Sequence, residues 1–407
     1  MQGKIFFGCR VSLVSCFRAQ SRCHNRSDRA TFHWAASLTA PNKNLCRLVH
    51  ETMTGANCVT HWQRIFEQNG ISEPQYSSEH IISHVLGGKT IHSLAEKALT
   101  RPLTVEQKQM IWNLCSKRLQ HVPVQYVIEE WDFRDLTLKI KPPVFIPRPE
   151  TEELVSLVLS ELAEEEDVLF SVGKTRWQNS QQAAHPLFLE IGCGSGAIVL
   201  SLLHFFKQSR AVAVDKSPEA VELTRQNAER LCVQHRLQEL QLDVLSDSQK
   251  LTRICGLVDV IVSNPPYLFH EDMSGLMPEI LKHEDHDALD GGADGLDVIK
   301  AILQLAPTVL KDHGKVFLEV DPRHPEMIQN WLQERASLRL TYRATHWDIC
   351  GKDQQFLHKQ GEAQRKLVTA DQLDQPEAEL RVRRPREEDC LISVKMLHKL
   401  QRQAESN

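Results

Sequence analysis

The sequence of 407 residues lacks several features that would each point to a particular class of protein. No apolar run approaches the length of about 20 residues that a membrane-spanning helix needs, so no membrane association is expected. The eleven cysteines include no C-x-x-C pair and no metal-ligand spacing, which favours free thiols in a reducing compartment and no metal site. The formal net charge of −5 excludes the overall positive charge that is typical of nucleic-acid-binding proteins.

Acidic residues are scarce in the first fifty positions. Residues 1–50 contain eight Lys or Arg and a single acid, Asp28. The arginines recur at near-helical spacing with serines between them, which is typical of a mitochondrial transit peptide. A secretory signal is disfavoured because the apolar run around Ile5 is short and Arg10 soon interrupts it. We therefore expect a protein of the mitochondrial matrix, with a basic tail that has no targeting role as the alternative.

The most informative motif in the chain is Asn264-Pro265-Pro266-Tyr267, which follows a predicted buried strand at 258–263. An amide or aryl amine nitrogen is a poor nucleophile, but two acceptors aimed at its N–H bonds can direct its lone pair at an electrophilic methyl group. The Asn264 side-chain oxygen and the Pro265 carbonyl are such acceptors, and proline holds the carbonyls rigid. Tyr267 can pack on the flat face of the substrate. Taken alone, the motif could equally be a tight Pro-Pro turn that ends a strand. Together with the glycine-rich turn upstream, it predicts methyl transfer to an amide or amine nitrogen.

A glycine-rich turn at 190–196 follows a short predicted strand and precedes an apolar helix. Glycines permit a tight turn and let the backbone approach a ligand, toward which the helix N-terminus directs its free N–H groups. Gly192, Gly194 and Ala197 also satisfy a dinucleotide fingerprint. The turn alone therefore does not separate a nicotinamide enzyme from an S-adenosylmethionine enzyme.

Two acids accompany this turn. Asp215 ends the next predicted strand, where an acid would hydrogen-bond ribose hydroxyls in either class of enzyme. Glu190 favours S-adenosylmethionine, because a carboxylate is stabilised beside a sulfonium and an amino group. Each acid, taken singly, could also be a solvated strand-end residue.

These motifs occur together in one family. Over roughly residues 60–360 the chain resembles the HemK/PrmC-type release-factor glutamine N5-methyltransferases. The similar segments are Phe145–Glu152 (the family's IPRPETE segment), Glu190–Gly196 and Asp215 (its cofactor motifs), Asn264–Tyr267 (its substrate motif), Ala288–Leu296 (its ALDGGxDGL loop) and Leu318–Val320 (a late strand). The chain departs from the family where Asp285 replaces a proline after Glu284, and at Val244, where bacterial members often have an aromatic residue near the adenine.

The resemblance implies an α/β fold, with a Rossmann-like seven-stranded S-adenosylmethionine-dependent methyltransferase domain preceded by a small helical domain. It implies that the acceptor is the glutamine of the Gly-Gly-Gln loop in mitochondrial class-1 translation release factors. We further expect a monomer that does not bind nucleic acid directly. The implied catalytic residues are Asn264, Pro265 and Tyr267, which also contact the substrate together with Pro266. The implied cofactor-binding residues are Glu190, Gly192, Cys193, Gly194, Ser195, Gly196, Asp215, Asp243, Val244 and Asn264.

Five regions are expected along the chain. They are a transit peptide or disordered segment at 1–45, a helical substrate-docking domain at 46–121, a β-hairpin linker at 122–146, the methyltransferase domain at 147–360, and a charged, disordered tail at 361–407. Thr104 to Gln107 has the pattern of a capping box. Residues 339–346 and 354–358 are predicted to be late strands that pair antiparallel at the sheet edge.

Two other functions stay open on the sequence alone. A nucleic-acid amine methyltransferase could use the same Asn-Pro-Pro-Tyr motif to hold a flipped base, with Tyr267 stacked on it. The acidic balance and the lack of an evident basic recognition domain disfavour this alternative. A non-catalytic scaffold that keeps the fold is disfavoured because Asn264, Glu190 and Asp215 are all intact.

Overall fold

The computed structural model describes residues 53–171, 185–347 and 390–396, so the predicted transit peptide lies outside the described residues. A helical unit comes first along the described chain. Its α-helices are α1 (Gly55–Gln68), α2 (Pro74–Val85), α3 (Glu96–Thr100), α4 (Val105–Arg118) and α5 (Val124–Ile128). Thr104 begins α4 with the predicted capping box: Gln107 N donates to its hydroxyl at 3.2 Å, and Thr104 N donates to Gln107 Oε1 at 3.0 Å.

The apolar faces of these helices form one core around Trp62, Phe66 and Ile81, which are each at most 2% exposed. Val124 and Val127 belong to this core, so the helical packing continues past residue 121 into the segment predicted as a linker. The predicted hairpin then follows as β1 (Glu130–Phe133) and β2 (Leu136–Lys139), which pair antiparallel.

A seven-stranded sheet forms the second unit. Its strands are β3 (Leu187–Ile191), β4 (Arg210–Asp215), β5 (Leu237–Gln241), β6 (Val258–Ser263), β7 (Leu310–Val320), β8 (Leu340–Trp347) and β9 (Cys390–Met396). The helices that accompany them are α6 (Pro149–Ser171), α7 (Ala197–Phe205), α8 (Pro218–Arg230), α9 (Ser248–Cys255), α10 (Pro278–His283), α11 (Asp297–Val309) and α12 (His324–Gln333). Nearly continuous burial along β3, β4 and β6 indicates that helices cover both faces of the sheet.

The strand order β5-β4-β3-β6-β7-β9-β8 places the two sequence motifs side by side. β3 pairs in parallel with β4 on one side and with β6 on the other, so the strand order reverses between β3 and β6. In open parallel sheets, ligands bind in the crevice outside the carboxyl ends of the strands at such a reversal. The glycine turn follows β3 and the Asn-Pro-Pro-Tyr motif follows β6, so both lie at this crevice.

The far edge of the sheet differs from the prediction. β9 lies within the tail that was predicted to be disordered, and it pairs in parallel with both β7 and β8. The predicted strand at 339–346 is present as β8, at the edge of the sheet. Its antiparallel pairing with a strand at 354–358 stays a prediction, since residues 354–358 lie outside the described residues. Cys390-Leu391-Ile392-Ser393-Val394 is apolar and β-branched, a composition that suits a strand between two others, although charged residues surround it in the sequence.

Two kinds of feature are absent from the part of the chain that the structure describes. No helix there is long and apolar enough to span a bilayer. No group of three or more His, Cys, Asp or Glu side chains in the same residues is arranged to hold a metal ion.

Candidate active site

A cleft opens at the carboxyl ends of β3, β4, β5 and β6, with about 1030 Å³ of empty space when the part open to solvent is included. Most of the predicted cofactor residues line it: Glu190, Gly192, Cys193, Gly194, Ser195, Asp215, Asp243, Val244 and Asn264. Gly196 is not among the lining residues; a Cβ on it would come within 2.9 Å of Leu200, so its contact is with the helix behind the turn.

The three glycines of the turn all have positive φ, and Gly194 is the one beside open space. Gly194 has φ of +53°, which a β-branched residue adopts only with strain. The nearest atom to a Cβ built there is in Val144, 4.0 Å away, so any side chain would project into the cleft. The turn is tied to the neighbouring strand because Gly192 N and Cys193 N both donate to the carbonyl of Val214, at 2.8 and 3.1 Å.

Asp215 holds the turn from the side. Its carboxylate accepts a hydrogen bond from Gly194 N at 2.9 Å and another from Ser217 N at 2.9 Å. Burial raises the pKa of Asp215, although these N–H groups oppose that effect. The acid therefore shapes the turn as well as facing the cleft, where its remaining lone pairs can accept from hydroxyl groups.

Glu190 lies deeper in the cleft and is only 1% exposed. Its Oε2 accepts from Val199 N at 3.0 Å, near the start of α7. Burial raises the pKa of this carboxyl well above its usual value, against the lowering effect of the Val199 N–H, and the negative charge of Asp215 raises it further. A cation arriving beside Glu190 would favour its ionised form, so the site suits a positively charged ligand.

The residues after β6 alternate between the cleft and the protein interior. Asn264 and Pro266 are partly exposed and line the cleft, whereas Pro265 and Tyr267 are buried and do not. This alternation is what an extended chain produces, since successive side chains point to opposite sides. The Tyr267 side chain packs in the core at 8% exposure, not on the cleft wall where stacking on a substrate was predicted.

Thr151 also lines the cleft, and the sequence alone did not identify it as a site residue. Asn264 Nδ2 donates to the hydroxyl of Thr151 at 3.1 Å. Thr151 lies in the first turn of α6, within the IPRPETE-like segment, and that position was its only signal in the sequence.

Comparison with known proteins agrees with this geometry. Residues 57–128 match the family model described as the PrmC N-terminal domain, and residues 178–292 match the one described as the methyltransferase small domain. A human protein, MTRF1L release factor glutamine methyltransferase, is 49% identical over 329 residues, which are 81% of this chain and 93% of the relative. The chain belongs to the release factor glutamine methyltransferase family. Its methyltransferase fold and its assignment as a protein glutamine methyltransferase follow from that membership.

Bacterial members of the family are also similar. Release factor glutamine methyltransferase of Streptococcus pneumoniae is 37% identical over 236 residues, which cover 57% of this chain and 75% of that protein. The protein of the same name from Lactococcus lactis is 35% identical over 264 residues, which cover 65% of this chain and 87% of the relative. The similarity thus extends from the human protein to bacterial ones.

The departure from the family pattern at Glu284-Asp285 leaves an ion pair in place. Arg148 NH2 lies 2.6 and 2.7 Å from the two carboxylate oxygens of Glu284, whose side chain is 1% exposed. Asp285 N donates to the carbonyl of Pro143 at 3.1 Å, a contact that a proline at this position could not make. The two segments that the family shares, around Arg148 and before Ala288, are therefore joined at the edge of the cleft.

The ALDGGxDGL-like loop packs against the backbone of the substrate motif. Leu268 N donates to Leu289 O at 3.0 Å, and Gly291 N donates to Leu268 O at 2.8 Å. A Cβ on Gly291 would lie 2.8 Å from the carbonyl oxygen of Pro266, and one on Gly295 would lie 2.5 Å from that of Tyr267. The two glycines thus let the loop approach the motif backbone closely and support it from behind.

Proposed function

We propose that this protein transfers the methyl group of S-adenosylmethionine to the side-chain amide nitrogen of a glutamine in a translation release factor. The observation that carries the proposal is the position of Asn264, whose side chain enters a cleft that is lined by the glycine turn and by Glu190. The acceptor glutamine would be that of the Gly-Gly-Gln loop in mitochondrial class-1 release factors. This finer assignment is supported by the names of the relatives and by the basic leader of the chain.

S-adenosylmethionine would supply a methyl group on a positively charged sulfur, which makes that methyl electrophilic. The residues of the cleft fit such a ligand. Gly194 leaves open space beside the turn, and Glu190 offers a buried carboxyl to the positively charged group of the ligand. Asp215 and Asp243 line the same cleft and have oxygens that can accept from ribose hydroxyls. Asn264 Oδ1 would accept one N–H bond of the glutamine amide inside the cleft. The carbonyl of Pro265, a buried residue that does not line the cleft, would accept the other N–H once the substrate contacts the motif, so that the nitrogen lone pair faces the methyl.

The helical unit would hold the protein substrate, and buried contacts connect it to the segment after the substrate motif. Arg118 of α4 and Glu279 of α10 form an ion pair at 3.5 Å, with side-chain exposures of 4% and 9%. Ser72 Oγ donates to the same Glu279 oxygen at 2.8 Å. A release factor docked on the helical unit would therefore be held at a defined distance from Asn264, which suits a monomeric enzyme.

The experiment that tests the function uses radiolabelled S-adenosylmethionine and a purified mitochondrial class-1 release factor. We expect label on the release factor, with a rate that depends only weakly on salt. Replacing the acceptor glutamine with glutamate should eliminate labelling, because a carboxylate offers no N–H to Asn264 and Pro265. Asparagine at the acceptor position is the comparison variant, because it is neutral and keeps the amide N–H bonds that glutamate lacks.

The alternative function, methylation of a nucleic acid, predicts the opposite result in the same assay. A nucleic-acid methyltransferase would label DNA or RNA, and its binding would weaken steeply with salt because phosphate contacts release counterions. Efficient labelling of nucleic acid, or labelling of the glutamate variant at the same residue, would overturn the proposal.

We also propose that residues 1–45 direct the protein to the mitochondrial matrix, on the basis of their high content of arginine and serine and their single acid. Removal of these residues should leave an enzyme that is active in vitro and no longer enters isolated mitochondria. Import of the shortened protein at the rate of the full chain would contradict this assignment.

A further inference from the structure

Thr151 and Asn264 are joined by a hydrogen bond although 113 residues separate them in sequence. Asn264 Nδ2 donates to Thr151 Oγ1 at 3.1 Å, and both residues line the cleft. Thr151 is only 3% exposed, so little water competes for the bond. A hydrogen bond in such surroundings is electrostatically stronger than one in water.

The orientation of the Asn264 amide decides whether this residue can grip an acceptor. Its oxygen and its NH2 group are nearly equal in shape, so the hydrogen-bond partners and not packing determine which of them faces the cleft. Only the oxygen can accept an N–H from a substrate amide, whereas an NH2 turned toward the substrate would oppose two donors. With Nδ2 bound to Thr151, Oδ1 is left for the acceptor.

A hydroxyl group can donate as well as accept, so the second hydrogen bond of Thr151 matters. Within the described residues, the Thr151 hydroxyl makes no hydrogen bond other than the one to Asn264, and its proton can therefore point into the cleft. A proton donated to an anionic group of a bound cofactor leaves only the lone pairs of that oxygen for Asn264. The cofactor and Thr151 would then fix the amide in the gripping orientation together.

Thr151 is itself held in place by the segment that precedes it. Thr151 N donates to the carbonyl of Arg148 at 3.1 Å. Arg148 is fixed by its contacts with both carboxylate oxygens of Glu284. The flanking Pro147 and Pro149 restrict the backbone on both sides of Arg148. The hydroxyl is thus presented from a rigid helix start, which a positioning role requires.

We propose that Thr151 is a positioning residue that orients the Asn264 amide, so that Oδ1 faces the glutamine to be methylated. This inference rests on the proposed function, since it assigns a role within that reaction. The role is assigned to the hydroxyl group of Thr151 and not to the volume of its side chain. Substitutions that change one and keep the other can test this.

The test compares Thr151→Val, which removes the hydroxyl at nearly constant volume, with Thr151→Ser, which keeps it. Thr151→Val should lower kcat with the release factor about tenfold, the equivalent of one lost hydrogen bond in a shielded site. Thr151→Ser should stay within about threefold of the wild type. In an Asn264→Ala background, Thr151→Val should cause little further loss, because both changes remove the same interaction.

A spectroscopic measurement tests the bond independently of methyl transfer. In protein labelled with 15N-asparagine, the side-chain NH2 signals of Asn264 are identified by their absence from Asn264→Ala. Their exchange with water should be slow in the wild type and in Thr151→Ser, and faster in Thr151→Val.

Three results would overturn the role of Thr151: unchanged kcat in Thr151→Val, equal loss in the Val and Ser variants, or an additive loss in the Asn264→Ala background. A wild-type protein that methylates no release factor would instead overturn the proposed function, whatever the exchange of the Asn264 signals.

Discussion

Replacing Asn264 with alanine is expected to lower turnover with the release factor by about two orders of magnitude or more. The substitution removes the side-chain oxygen that would align the acceptor nitrogen with the methyl group. The substitution does not change the walls of the cofactor cleft, because Glu190, Asp215 and the glycine turn belong to β3, β4 and the turn after β3. The end of β6 also stays in place, since the buried Ser263 hydroxyl donates to the Ile191 carbonyl at 2.5 Å. The affinity for S-adenosylmethionine should therefore stay close to that of the wild type.

The measurement is single-turnover methylation under saturating cofactor, together with calorimetric titration of S-adenosylmethionine. Asn330→Ala serves as the control, because Asn330 is exposed on α12 and does not line the cleft. If Asn264→Ala methylates the release factor as fast as this control, the acceptor grip assigned to Asn264 is wrong. A loss of cofactor affinity as large as the loss of rate would instead make Asn264 chiefly a cofactor residue.

The sequence was sufficient to predict that the glycine turn and Asn264 lie together. Each follows a short apolar run that is typical of a buried strand, and buried parallel strands end at the same edge of a sheet. Glu190 and Asp215 are found in the predicted cleft for the same reason. Their positions depend on the ends of strands, which the local pattern of residues determines.

The directions of side chains and the contacts between residues distant in sequence could not be predicted as well from the sequence. Tyr267 was predicted to stack on the acceptor, but the extended chain after β6 sends Asn264 and Pro266 one way and Tyr267 the other. The bond from Asn264 to Thr151 joins the end of β6 to the start of α6, and no local pattern reports which of several polar residues in the IPRPETE-like segment makes it. β9 was missed because its seven residues lie among charged ones, and its pairing with β7 and β8 is a long-range contact that no local pattern reports.

Replacing Gly291 with alanine is expected to lower turnover by roughly a hundredfold through displacement of the substrate motif. The methyl group would lie 2.6 Å from Gly295 O and 2.8 Å from Pro266 O. Both neighbours are backbone atoms, so neither can move aside as the end of a flexible side chain could. Pro266 directly follows the proposed acceptor carbonyl of Pro265, and a shift of the backbone there would misalign the glutamine amide.

Gly275→Ala is the matched control for this prediction. A Cβ on Gly275 meets nothing within 4 Å, and the residue lies between the substrate motif and α10, whereas Gly291 follows α10. Its replacement should leave both turnover and melting temperature near the wild-type values. Gly291→Ala should lower the melting temperature as overpacking does, at a cost of about 1–3 kcal/mol, and still bind S-adenosylmethionine.

The two readouts separate a general loss of stability from a specific loss of alignment. A folded Gly291→Ala protein that binds the cofactor and fails to methylate would place the defect at the acceptor side of the cleft, where the loop contacts Pro266 and Leu268. Turnover equal to that of Gly275→Ala would mean that the motif backbone tolerates the displacement. In that case the close approach at Gly291 serves the packing of the loop alone, and the alignment of the acceptor depends on Asn264 and its bond to Thr151.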